Sequence, residues 1–104
     1  MEHRCGARQA VNLSAELWHK GKNCGSFCTR DISHDGLFLL ASPPQVREGD
    51  YIKLRLDLHQ GDDDIDRNIV EVGAMVLHRS EDGIGLMWAQ GSIELYRLLN
   101  KAYF

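Results

Sequence analysis

The amino-acid sequence predicts an all-β fold, a closed or nearly closed antiparallel barrel of short strands followed by one C-terminal helix. Three observations lead there. Apolar and polar residues alternate with a period of two in several short stretches. Glycine-rich or acidic turns separate those stretches, and the C-terminal stretch switches to helical spacing. Many short strands joined by tight turns hide their edges best by closing on themselves. A chain of 104 residues, 43% hydrophobic and 26% charged, holds material for a single core. It is read as one domain, with an N-terminal segment at 1–9, a barrel at 10–90 and a helix at 92–103.

In residues 10–17, Val11, Leu13, Ala15 and Leu17 alternate with Asn12, Ser14 and Glu16, the period of a half-buried strand. Trp18 breaks the alternation, and residues 19–23 form a polar turn. Residues 25–30 make a second strand that delivers the chain into Asp31. Residues 37–41 are a third, stopped by Ser42-Pro43-Pro44, because proline donates nothing to a ladder. After a turn at 48–50, Ile52, Leu54, Leu56 and Leu58 alternate with Lys53, Arg55 and Asp57 as the cleanest strand. Residues 59–66 form an acidic, solvated loop. Residues 69–79 are a long strand in which Gly73 marks a bend or bulge. A turn at 81–83 leads into residues 84–89, where Ile84, Leu86 and Trp88 share a core-facing side. Ser92 then caps the helix and Glu94 suits its positive end, while Ile93, Leu95, Tyr96, Leu98, Leu99, Ala102 and Tyr103 recur at helical spacing.

Composition narrows the function classes. Three cysteines, an odd number, argue against a disulfide framework and fit a reducing cytoplasm. No apolar run approaches the roughly 18 residues of a membrane span, and no export signal opens the chain, so neither membrane insertion nor export is expected. The net charge is −3, unevenly spread: residues 1–30 balance to +3, 31–66 to −6, and 67–104 to zero. Nucleic-acid polymers call for a basic stripe and a high pI, whereas this chain's pI is 5.9. Positive charge confined to one end suits a small anionic ligand better. Cys24 and Cys28 form only one loose pair, short of the two tight pairs of a structural zinc site, and no metal is expected. The run Asp62-Asp63-Asp64-Asp66 lacks the glycine and terminal glutamate of a calcium loop. No nucleophile–base pattern is visible among the five histidines, so an enzyme is not expected.

Two short motifs carry the functional signal. Arg4-Cys5-Gly6-Ala7-Arg8 reads as RxxxR, and Asp31-Ile32-Ser33-His34-Asp35-Gly36 reads as [D/N]xSxxG. The second alone should occur by chance in roughly one in twenty chains of this length, and the pair in about one in a thousand. Together they supply two guanidinium forks, a carboxylate, a hydroxyl and a glycine.

The pair resembles the signature of PilZ domains, the bacterial receptors for cyclic di-GMP. Gly36-Leu37-Phe38-Leu39 looks like that family's apolar strand after the second motif. Gly85-Leu86-Met87-Trp88 looks like its late glycine-plus-aromatic strand, and a helix follows in the expected place. The resemblance implies a six-stranded antiparallel β-barrel (PilZ-like) plus a C-terminal α-helix packed across one end. It implies cyclic di-GMP as the ligand, bound through Arg4, Arg8, Asp31, Ser33 and Gly36. RxxxR begins closer to the initiating Met than in many members.

The chemistry is consistent with that ligand. Arginine forks grip phosphate oxygens or the Hoogsteen edge of guanine and stack on purines. Asp31 would accept from guanine N1–H and the N2 amine. Ser33 would either donate to a phosphate or fix the turn, since Asp-x-Ser before glycine is also ordinary turn chemistry. Gly36 would adopt positive φ or let backbone approach the ligand. Arg30 sits beside Asp31 and would either help attract phosphate or, as strand alternation favours, point to the opposite face; His34 and Asp35 fill the motif's variable positions. By resemblance, His78 and Arg79 end a strand near the ligand face, where one of them would touch a base; the competing and favoured reading is a solvated strand end. The expected function is a non-enzymatic, cytoplasmic second-messenger receptor. It relays to an unidentified downstream protein partner by ordering the flexible ligand-binding segment 1–9. The alternative is a PilZ-fold interaction module that binds no nucleotide.

Overall fold

The computed structural model describes residues 8–59, 67–89 and 93–103. Seven strands form one antiparallel sheet: β1 (Gln9–Ala10), β2 (Ser14–His19), β3 (Lys22–Ile32), β4 (Gly36–Leu39), β5 (Tyr51–His59), β6 (Arg67–Arg79) and β7 (Ile84–Trp88). Helix α1 (Ile93–Tyr103) ends the described chain. Strand order is β1-β3-β2-β5-β6-β7-β4, and a further β3–β4 pairing returns the sheet to its start. Six strands therefore close the barrel, and β1 is a two-residue addition to β3. Closure removes the open edges that would invite aggregation.

Core layers follow from the register. Leu17, Leu54 and Val72 pair across β2, β5 and β6; Val76, Leu86, Leu37 and Ile32 pair across β6, β7, β4 and β3. All are buried. Alternation with period two turns the intervening residues outward. Helix α1 sends Leu95 and Leu99, one turn apart, into the same core.

Several elements differ from the sequence reading, each for a local reason. The strand expected at 10–17 is split: Thr29, 1% exposed, accepts from Leu13 N–H and donates to Val11 C=O, both at 2.9 Å. Its hydroxyl bridges the gap between β1 and β2. The polar turn is only Lys20-Gly21, with φ of 52° and 79°, the paired left-handed conformation that joins tightly twisted strands. Strand β2 accordingly continues through Trp18, which follows Glu16 on the outer face. Its indole N–H donates to Glu16 Oε1 at 2.6 Å. Gly73 is no bulge, since Lys53 pairs with it in unbroken register. A Cβ there would meet the Tyr51 phenol, so the glycine makes room for that ring. The irregularity in β6 lies between Val76 and His78. Of the acidic loop expected at 59–66, His59 belongs to β5, paired with Arg67, and residues 60–66, like the Ser92 cap, lie outside the described residues.

Leu54 is fully buried at the centre of its layer. Leu54→Ala is expected to destabilise the chain by about 2–5 kcal/mol, through lost transfer energy and the cavity left behind. Urea denaturation of both proteins measures the difference.

Candidate functional site

The second motif is the connection between β3 and β4, and its geometry begins with Ser33. That side chain is 1% exposed. Its N–H donates to Gly36 C=O at 2.8 Å, and its hydroxyl accepts from the N–H groups of Asp35 and Gly36 at 3.2 and 3.3 Å. Trp88 Nε1–H reaches Ser33 C=O at 3.4 Å, and Trp88 N–H reaches Asp35 C=O at 2.8 Å. Of the two roles the sequence left open, the structure gives the Ser33 hydroxyl to the turn. It shapes the site from beneath. Gly36 does not take positive φ. A Cβ on it would collide with the Leu86 carbonyl oxygen and lie 2.9 Å from Met87 Cα, so the close approach is to β7. The signal for this was the strand pattern: Gly36 opens one strand and must fit against the next.

Asp31 faces outward, with its side chain 13% exposed. Arg8 Nε donates to Oδ1 at 2.7 Å, and Arg8 Nη2 contacts the same oxygen. Arg30 Nε donates to Oδ2 at 2.8 Å. Arg8 is carried there by β1, whose ladder sets Gln9 opposite Ile32 and Ala10 opposite Asp31. The boundary expected at residue 9 thus falls inside a strand. Arg4 lies outside the described residues.

Arg30 shares the face of Asp31 rather than opposing it. The β3–β4 register slips between Thr29 and Asp31, and a bulge turns consecutive side chains to one side. From there the Arg30 guanidinium lies 3.9 Å from the centre of the Phe38 ring, a cation–π contact. Sequence alternation alone could not show this, because the slip depends on the partner strand.

Burial pushes the Asp31 carboxyl up, but hydrogen bonds from Arg30 and Arg8 and their positive charge outweigh it. The result is a value below the ordinary carboxylate range. Asp31 is ionised at neutral pH and holds two cations side by side. Each guanidinium carries five donors, so both retain donors beyond those spent on Asp31.

His34, left without a role by the sequence, ties the motif to the helix. Its ring stacks on Tyr96 at 4.4 Å between centroids, and its Nε2 lies 2.7 Å from Asn100 Oδ1. Arg79, read as either a base contact or a solvated strand end, donates to the carbonyls of Val46 and Ser42 at 3.0 and 3.3 Å and ties the strand end to the β4–β5 connection. His78 is exposed on the outer face, in register with Gly85. Trp88 lies in the core. Among the described residues, no three His, Cys, Asp or Glu side chains gather to hold a metal.

Comparison with known families gives a PilZ domain match over residues 2–104. The chain belongs to the PilZ domain family. PilZ domains are generally cyclic di-GMP receptors and typically non-enzymatic. The Bacillus subtilis inhibitor of motility (MotI/DgrA) has a similar structure, with TM-score 0.81 and 14% identity over 98% of this chain. This chain spans 50% of that protein's length. The PilZ domain of CeSA from a cellulose-synthesizing bacterium is also similar, with TM-score 0.72 and 14% identity, covering 93% of this chain and 95% of that one. At such identities the likeness speaks to the fold. No curated relative matches the chain. No helix among the described residues is long and apolar enough to cross a membrane.

Two predictions test this PilZ site. Gly36→Ala is expected to cost several kcal/mol, on the order of a severe overpacking change, because backbone on β7 must move; thermal denaturation reports it. For Asp31, the folded carboxyl value lies below the unfolded one. Its contribution is therefore complete above about pH 4 and fades as pH falls through the folded value. Asp31→Asn should be less stable than the parent at neutral pH, with the gap closing on acidification. Urea melts across pH measure it.

Proposed function

We propose that this chain is a non-enzymatic receptor for cyclic di-GMP, bound on the ledge of Arg8, Arg30, Asp31 and Phe38, with Arg4 joining from the upstream segment. The observation that carries this reading is the Arg8–Asp31 pair, which joins the two motifs across 23 residues of sequence. Without ligand, Asp31 neutralises part of the arginine charge. A guanine offers N1–H and N2 donors to the carboxylate, while phosphates offer oxygens to the guanidiniums. Binding is thus an exchange of partners in which the guanidiniums take phosphate oxygens and the carboxylate keeps two hydrogen-bond donors. That matters because a half-buried charge left without hydrogen bonds is costly. Ser33 and Gly36 contribute by holding the turn that places Asp31.

Arg8 is already seated by β1, so the ordering step falls on the residues before it. Drawing Arg4 onto the ligand changes the surface shown to a protein partner, a disorder-to-order relay. Family membership supports a cytoplasmic signalling role without catalysis. A second reading, an interaction module that keeps the fold without nucleotide, draws on the likeness to an inhibitor of motility. The joined motifs favour the receptor.

Calorimetric titration with cyclic di-GMP, beside GTP and single-stranded RNA, distinguishes the two. Micromolar or tighter binding to cyclic di-GMP alone is expected, weakened at least about tenfold, or 1.4 kcal/mol, by Arg8→Ala. Absence of heat with any nucleotide would leave the interaction module. Amide resonances of residues 1–7 should shift and sharpen with ligand; a segment unchanged by saturating ligand would sink the ordering step.

A further inference from the structure

Asp31 and the two arginines cap one another. Oδ1 takes the Arg8 edge formed by Nε and Nη2, and Oδ2 takes Arg30 Nε at 2.8 Å. Both carboxylate oxygens are engaged, and Arg8 has committed an edge with which a guanidinium forks an oxyanion. Arg30 is further held by its face against the Phe38 ring. Two guanidiniums against one carboxylate leave a local balance of +1, which draws anions. Attraction of that kind does not choose among them.

An anion without a base can reach these arginines in two ways, and both are penalised. It can use the Nη donors that remain, and then it lies close beside the Asp31 carboxylate, a like charge that repels it. Alternatively it can displace Asp31 from the Arg8 edge. The carboxylate is then stranded with its side chain only 13% exposed, too little for water to replace the lost hydrogen bonds. Burial alone pushes that carboxyl up, and it is the arginines that bring it below the ordinary range. Guanine removes the second penalty. Its N1–H and N2–H lie side by side and match the two oxygens of a carboxylate. Adenine does not, because its N1 turns a lone pair toward the same oxygens. Specificity arises from penalising the wrong partner as much as from fitting the right one.

We propose that Asp31 is a specificity gate: it withholds the Arg8 and Arg30 guanidiniums from phosphates and yields them to a ligand whose base supplies two donors in exchange. The proposal rests on the receptor reading for the identity of the ligand, and adds to it the exclusion of anions that lack guanine. Asp31 thus has two opposed effects, favouring guanine and opposing every other anion. Removing its charge separates them.

The test is calorimetry on the full chain and on Asp31→Asn with cyclic di-GMP, cyclic di-AMP and inorganic pyrophosphate, after an amide spectrum has shown the variant folded. The parent should bind cyclic di-AMP and pyrophosphate at least about a hundredfold more weakly than cyclic di-GMP. Asp31→Asn keeps the shape and loses the charge. It should bind pyrophosphate and cyclic di-AMP at least about tenfold more tightly than the parent does, with no gain for cyclic di-GMP. Adding Arg8→Ala to that variant should abolish the gain. In the parent itself, the Nε–H resonances of Arg8 and Arg30 should move with cyclic di-GMP and stay in place with pyrophosphate at the same concentration. An Asp31→Asn protein no better at holding these anions would overturn the gate. So would a gain that survives Arg8→Ala, or Nε–H resonances that answer both ligands alike. Two outcomes separate the gate from the receptor reading. A parent blind to cyclic di-GMP, with an Asp31→Asn variant that gains pyrophosphate, supports the gate and sinks the receptor alone. Cyclic di-GMP binding by the parent, with no gain in the variant, sinks the gate alone.

Discussion

The closing of β4 onto β3 and β7 is the constraint on which the rest of this structure depends. A barrel exists only if its first and last pairings meet, and here they meet at the turn from Ser33 to Gly36. Ser33 ties that turn internally, Trp88 holds it from β7, and Gly36 permits contact with Leu86 that no side chain would allow. The same four residues that look like half of a binding motif are thus the clasp of the fold. Motif and architecture share atoms, so the candidate site is built on the closure of the barrel itself.

From that clasp the electrostatics follow. Closing the barrel with a bulge at Arg30 brings Arg30 and Asp31 to one face and lays Arg30 over Phe38. The Thr29 hydroxyl then fixes where the chain crosses from β1 to β2, and with it the position of Arg8. A single carboxylate ends between two guanidiniums, its charge held by them against the cost of burial. Such an arrangement suits the exchange of partners proposed for the ligand. The stacking of His34 on Tyr96 extends the rigid turn to the helix, so three elements answer to one loop.

Much of the fold was legible in the sequence because period-two alternation reports burial directly. The strands at 52–58, 69–79 and 84–89, and the helix with Leu95 and Leu99 inward, are found where the pattern puts them. Legibility failed where a partner strand decides. Trp18 breaks the alternation only if every apolar residue must face inward; in the barrel it is an outer-face residue. Gly73 reads as a bend because glycine weakens strands, yet it exists to admit Tyr51. Arg30 defies its parity because the bulge is a property of two strands, and one strand's sequence does not contain it.

The sequence by itself determined the elements, the single core, the family resemblance and the two motifs, since these rest on spacing along the chain. Only the tertiary structure decided what the motif residues do. It made Ser33 and Gly36 parts of a clasp, placed Arg8 and Arg30 on one carboxylate and gave Arg79 the carbonyls of the β4–β5 connection. The reason is physical: hydrogen bonds, ion pairs and contiguous surface depend on distance in space. In a closed sheet that distance is set by register between strands remote in sequence.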